Sequence, residues 1–209
     1  MDPQAQGLID YYSARAPEFD RMYLDHPAAY LREVEALARE VEEFARGRSV
    51  LELACGTGHW TQFAARTARA VLATDASEPM LERARARGLP ANVQIHGADA
   101  FAPPAGDFDA VLAVFWLSHV PRARLRSFLG GLPRGAALFF ADNLYVPGEG
   151  GELVPGPGPD SWKRRKLQDA SEYLIVKNYF TADELRELLP GAQVRQGDWL
   201  WRAVVPAEL

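Results

Sequence analysis

Nine consecutive residues, Val50-Leu51-Glu52-Leu53-Ala54-Cys55-Gly56-Thr57-Gly58, constrain this chain more than any others. A short apolar run enters a turn of small residues with two glycines, and a helix-like stretch, Thr57 to Thr67, follows directly. Strand, tight turn and helix in that order open a crossover unit whose turn offers bare backbone to a ligand. Glycine at 56 and 58 removes side chains that would otherwise fill the ligand's volume.

The remaining rhythm fits the same architecture. Leu31, Val34, Leu37, Val41 and Phe44 recur at three- and four-residue steps, so Pro3 to Phe44 reads as a helical front section. After Arg46-Gly47 come short apolar runs at 50–53, 71–74, 93–95, 110–114 and 137–140, with helix-like stretches at 78–87 and 122–129. Alternating strand and helix implies a mostly parallel sheet covered on both faces. Five glycines and four prolines between Pro147 and Pro159 read as a surface loop able to close over a site. Beyond it the pattern predicts a basic helix over 161–169, a strand over 173–178, a helix over 182–189 capped by Thr181, and two last strands near Val194 and at 201–205. The 209 residues suit one domain with a front segment (1–46), a ligand-binding half (47–142) and a late segment (143–209).

Composition narrows the function. No apolar run approaches the ~20 residues that span a bilayer. Met1-Asp2-Pro3-Gln4 carries neither a basic leader nor an apolar segment, so the expected location is the cytoplasm. Net charge of −5 disfavours nucleic acid as a partner and leaves a small molecule as the expected one. Cys55 has no second thiol to pair with, and His26, His59, His96 and His119 fall at no metal-ligand spacing, so no metal is expected.

The stretch Glu52-Leu53-Ala54-Cys55-Gly56-Thr57-Gly58 resembles the first motif of class I methyltransferases, acidic-x-Gly-x-Gly-x-Gly, with Ala54 in place of the first glycine. That resemblance implies a Rossmann-like fold, a mostly parallel seven-stranded sheet with helices on both faces, and S-adenosylmethionine as cofactor, released as S-adenosylhomocysteine. Nicotinamide-binding folds use a similar turn for pyrophosphate. Against them, Thr61 stands at the third glycine of their fingerprint, and Glu52 would repel a pyrophosphate while suiting the methionine amino group. Asp75 ends the second strand, where a carboxylate can accept from both ribose hydroxyls. Asp99, with Ala100, ends the third, near the expected adenine. Ala54, Gly56, Thr57, Gly58 and Ala76 complete the cradle, and Trp60 and Met80 are candidate walls.

Two further stretches point to the acceptor. Tyr11 to Asp20 resembles the opening segment that folds over the cofactor in small-molecule members of the family, which makes Tyr11 and Arg15 candidate cofactor contacts and Tyr12 and Tyr23 candidate substrate contacts. Phe108 to Pro121 resembles the family's fourth strand and following loop; Phe115 and Trp116 can flank a sulfonium, and His119 can accept a proton or donate a hydrogen bond. Trp116 to Pro121, joined to Arg164 to Asp169 and Ile175 to Lys177, resembles the phosphonate O-methyltransferases of dehydrophos biosynthesis, which implies Arg165 and Lys177, with Arg164 beside them, on an anionic substrate. All three lysines of the chain fall between 163 and 177.

Methyl transfer from a sulfonium is an in-line displacement in which alignment dominates. An acceptor that is already an oxyanion needs no base, and Arg165 and Lys177 suffice to hold it. A hydroxyl or amine acceptor needs one, and His119 is then the candidate. A chain that binds the cofactor without catalysis is the third alternative.

Overall fold

The computed structural model of the protein describes residues 3–24 and 26–207; Met1 and Asp2 of the opening lie outside them. A central sheet holds β1 (Ser49–Leu53), β2 (Ala70–Asp75), β3 (Val93–Gly97), β4 (Ala110–Val114) and β5 (Ala137–Asn143), followed late in the chain by β9 (Gln193–Gln196) and β10 (Leu200–Val205). The spatial order is β3-β2-β1-β4-β5-β10-β9. The first five strands pair in parallel, and β10 alone runs against its neighbours. The chain leaves β1 toward β2 and β3, then returns to the other side of β1 for β4. That reversal opens a crevice at the carboxyl ends of β1 and β4, where open α/β sheets take their ligands.

Each central strand alternates its side chains between two cores, as a strand covered on both faces must. Val50, Leu112 and Phe139 pack with Leu37, Val41 and Phe44 of α2 (Ala28–Ala45). Leu51, Leu53, Val111 and Phe140 pack with Phe128 of α5 (Leu125–Gly130) and Leu185 of α6 (Ala182–Leu188). Full burial of each such leucine or phenylalanine contributes roughly 1.5–3 kcal/mol. Thr181 caps α6 as expected, accepting from the Glu184 amide at 3.2 Å while Glu184 Oε2 accepts from the Thr181 amide at 2.7 Å.

The front section is helical and broken into pieces: α1 (Pro3–Arg15) gives way to a 3₁₀ segment, Ala16–Tyr23, with Pro17 at its start, and Pro27 precedes α2. One reading of the sequence needs correction. The stretch 161–169, expected as a basic helix, is instead strand β7 (Trp162–Lys166), paired antiparallel with β6 (Glu152–Val154) and β8 (Glu172–Val176) in a second, three-stranded sheet. Helix preference in Lys and Arg amounts to tenths of a kcal/mol per residue and yields to two ladders of backbone hydrogen bonds. The loop expected over 147–159 therefore contains an edge strand. Tyr11, Leu167 and Ile175 form a small core between α1 and this sheet, so the front helix and the second sheet close the crevice together. Among the described residues no helix is long and apolar enough to cross a membrane.

Candidate active site

The turn after β1 is built from left-handed backbone: φ is +51° at Ala54, +56° at Gly56 and +78° at Gly58. The glycines are needed there for conformation. A Cβ on Gly58 would also stand 3.3 Å from Ala84 Cβ of α4 (Glu78–Ala86), so this glycine sets how closely the turn meets that helix. A Cβ on Gly56 would meet only the Phe19 ring, at 3.7 Å. Asp75 fixes the turn from below. Its Oδ2 accepts from the Gly56 amide at 2.9 Å and its Oδ1 from the Ser77 amide at 2.8 Å. A carboxylate has about four lone-pair directions, and the Ala76 backbone bears on this one as well, so room is left for a ligand hydroxyl.

A cavity of about 320 Å³ lies over this turn, within the range of small-ligand sites. Ala54, Gly56, Trp60, Asp75, Ala76, Met80, Asp99, Ala100, Phe115 and Trp116 all line it, as do Tyr12, Arg15 and Tyr23 from the front segment. Asp99 steadies its own loop by accepting from the Phe101 amide at 2.9 Å. Phe115 takes a left-handed φ of +61° at the end of β4, a strained choice for a bulky residue that turns the chain at the crevice. Four expected contacts stand behind the wall: Tyr11, Glu52, Thr57 and Gly58 do not line the cavity. Tyr11 accepts from Arg15 at 2.9 Å, and Thr57 donates to Asp20 at 2.5 Å.

Glu52 decides whether the cradle suits an amino-acid-bearing ligand. It is 2% exposed and its Oε2 has no hydrogen-bond partner. Burial, helped by the nearby Asp75 charge, pushes its carboxyl up to about 8. An ammonium group brought to this end of the crevice would relieve both conditions. The methionine and ribose portions of S-adenosylmethionine supply such an ammonium and two hydroxyls, so the residues present fit that cofactor.

The acceptor end is ordered by His119 and Lys177. His119 Nδ1 lies 2.7 Å from the Val176 carbonyl, and its Nε2 lies 2.7 Å from the Tyr12 hydroxyl. Burial and the Lys177 charge pull the imidazole down to about 3, so it is neutral at physiological pH. Lys177, 3% exposed, donates to Asp142 at 2.7 Å, Ser118 at 2.8 Å and Asn143 at 3.3 Å. Burial raises the Asp142 carboxyl, but Lys177, His119 and the Ser118 side chain outweigh it and hold the group below its usual range. Lys177 is thus an ion-paired wall residue.

The two arginines expected beside it do not reach the cavity. Arg165 donates to the Gly150 carbonyl and lies behind the wall, and Arg164, exposed on the other face of β7, sits 3.6 Å from Glu152 and 3.8 Å from Glu172. Strand alternation separates these neighbours, whereas the helix expected for this segment hid that split. Tyr23 stacks on His59 with ring centroids 3.4 Å apart.

A methyltransferase-domain family model matches residues 50–134. Two solved structures are similar over nearly the whole length: a DhpI–SAH complex, at 29% identity and TM-score 0.78 with 100% of both chains covered, and a DhpI–SAM–HEP complex, with the same identity and score and 99% of both covered. Residues 50–134 thus carry a methyltransferase domain, and the chain over its whole length is similar to class I S-adenosylmethionine-dependent methyltransferases. A ubiquinone biosynthesis O-methyltransferase of Xanthomonas oryzae pv. oryzae is 33% identical over 108 residues, 48% of this chain and 45% of that one. The match thus spans about half the length of that curated relative.

Several wall residues escaped the sequence reading. Phe19, Ser77, Asn143 and Trp162 line the cavity, and Asp142 sits directly behind Lys177. Asp142 carried a usable signal, an acid at the end of a strand like Asp75. Trp162 did not, because its segment was read as helix; in the fold Gly156 lies so close to its ring that a Cβ there would stand 2.0 Å from it.

Proposed function

We propose that this methyltransferase O-methylates a small acidic acceptor, a phosphonate or carboxylate. The observation that carries this reading is the state of His119: neutral, buried, with one ring nitrogen held by the Val176 carbonyl and the other by Tyr12. A group with a proton affinity of about 3 and an engaged lone pair is a poor general base near neutral pH. An acceptor that is already ionised needs none.

The cofactor supplies an activated methyl group when bound. Asp75 would hold its ribose, and Glu52, from behind the wall, would favour its ammonium group through charge, with Ala76, Met80, Asp99 and Ala100 around the adenine. The front segment excludes water, closing over the cavity with Tyr12, Arg15, Phe19 and Tyr23. Charge at the acceptor end favours an anion. Arg15 lines the cavity with its guanidinium over the Phe19 ring and bonded to the Tyr11 hydroxyl, beside the Lys177–Asp142 ion pair. Arg165 acts from behind the wall: its charge, together with that of Lys177, helps pull His119 and Lys163 down. The resemblance of the late segment to phosphonate O-methyltransferases points the same way.

Transfer of labelled methyl from S-adenosylmethionine, scored against panels of alkylphosphonates, carboxylates, alcohols and amines, tests the reading. Labelled esters formed only from the acids support it. Labelled ethers or methylamines overturn it.

A further inference from the structure

We propose that Tyr12 is a specificity residue that reads the protonation state of the acceptor, presenting only oxygen lone pairs to the cavity and so preferring an anion that keeps one acidic proton over its fully ionised form. The proposal rests on the acidic-acceptor reading above and deepens it.

The geometry leaves one assignment of protons. A backbone carbonyl can only accept, so the 2.7 Å contact to Val176 places the imidazole proton on His119 Nδ1. A neutral imidazole has one N–H, which leaves Nε2 as a bare acceptor. The 2.7 Å contact between Nε2 and the Tyr12 oxygen then requires the phenol to donate. A phenol has a single O–H, and this one is spent inside the wall. His119 is 4% exposed and its ring stands edge-on to Tyr12 at 86°, so the pair is fixed on both sides.

The surroundings keep that polarity. The charged and titratable groups acting on Tyr12 and His119 are Tyr11 and Arg15 from α1, Asp142 from β5, Arg165 from β7 and Lys177 after β8. Burial, Lys177 and Arg165 disfavour a second proton on the imidazole, and burial keeps the phenol from ionising. Asp142 is paired with Lys177 and makes no hydrogen bond to the imidazole. An acceptor oxygen placed against Tyr12 therefore meets lone pairs. An O–H on the acceptor satisfies them; a bare oxyanion leaves both sides unpaired. A monoprotonated phosphonate carries such an O–H beside a charged oxygen for Arg15, which lines the same cavity.

The test uses ethylphosphonate, whose second proton leaves near neutral pH, titrated calorimetrically into the protein saturated with S-adenosylhomocysteine at pH 6 to 9. In the wild type, affinity is expected to fall about tenfold per pH unit above that second ionisation. In Tyr12→Phe it is expected to vary less than about threefold over the same range. His119→Phe frees the phenol proton for the ligand, and the fully ionised form is then expected to bind at least as well as the monoanion. A role in packing alone would lower all affinities together without changing their dependence on pH. Wild-type affinity that stays flat or rises across the second ionisation overturns the proposal, as does an unchanged slope in both variants. Absence of binding by ethylphosphonate and by a short carboxylate at every pH would sink the acidic-acceptor reading as well.

Discussion

Asp20 of the front segment and Thr57 of the cofactor turn share a hydrogen bond of 2.5 Å, donated by the threonine to Oδ1. Arg87, at the end of α4, joins them: its Nε donates to the Thr57 carbonyl at 2.8 Å, and its guanidinium pairs with Asp20 Oδ2. Ser13 and Ser77 make a second bridge at 2.8 Å. Closure of the front segment is thereby tied to the backbone that cradles the cofactor. Thr57→Val removes the buried partner of the first bridge at a cost of about 1 kcal/mol. The expected outcome is S-adenosylhomocysteine binding about two- to fivefold weaker with little change in melting temperature. Unchanged affinity by calorimetry would show that the bridge is incidental.

Ala54 offers a gain instead of a loss. At φ +51° its Cβ is strained, and left-handed backbone costs an L-residue roughly 1–2 kcal/mol. Glycine relieves that strain but frees the unfolded chain, which returns roughly 0.4–1 kcal/mol. Ala54→Gly is therefore expected to stabilise the protein by about 0.5–1 kcal/mol in urea unfolding. A net loss would mean that the Ala54 methyl group makes packing contacts worth more than the strain.

The cofactor half was legible in the sequence because its signals are local. A glycine turn, an acid at a strand end and an apolar run all report on backbone a few residues away, and Asp75, Met80, Asp99, Ala100 and Trp60 line one cavity. The acceptor half depends on which distant side chains meet. Nothing near Lys177 in sequence announces that Asp142, 35 residues earlier, neutralises it. Nothing near His119 announces that Val176 and Tyr12 hold its two nitrogens. The misread helix at 161–169 belongs to the same class, since strand pairing with 152–154 and 172–176 is a tertiary decision.

Lys177 makes the contrast measurable. Removing one member of a buried ion pair leaves the other charged and unpaired, which costs roughly 3–5 kcal/mol. Lys177→Met is expected to lower stability by that order, and adding Asp142→Asn is expected to recover part of it. Denaturant unfolding of the single and double variants decides the matter. A single variant as stable as the wild type would show that Lys177 serves the substrate and not the fold.

His119 should leave its mark on acid stability. Its folded-state value, about 3, lies below the 6.5 of an unfolded chain, so between those values the unfolded state binds more protons and stability falls as pH falls. From pH 6.5 to 5 that loss amounts to about 1.6 kcal/mol. Glu52 acts with the opposite sign, because its raised value makes the folded state the better proton binder over the same window. Comparing wild type with His119→Phe isolates the histidine. The variant is expected to lack about 1.6 kcal/mol of the acid-side decline, and parallel pH profiles would contradict the assignment.

Glu52 gives the sharpest link between this geometry and the cofactor. With a value of about 8 the carboxyl is mostly protonated at pH 7 when the crevice holds no cation, because burial and the neighbouring Asp75 both oppose its charge. An ammonium group nearby favours the ionised form and lowers that value. Cofactor binding at pH 7 is therefore expected to release up to one proton. Calorimetry of S-adenosylhomocysteine binding in buffers of different ionisation enthalpy reads this directly: the apparent heat should change with the buffer in the wild type and should not in Glu52→Gln. At pH 9, where the carboxyl is already ionised, the buffer dependence should vanish in the wild type too. Heats that are independent of buffer at pH 7 would mean that Glu52 keeps its proton, and that the amino group is held elsewhere.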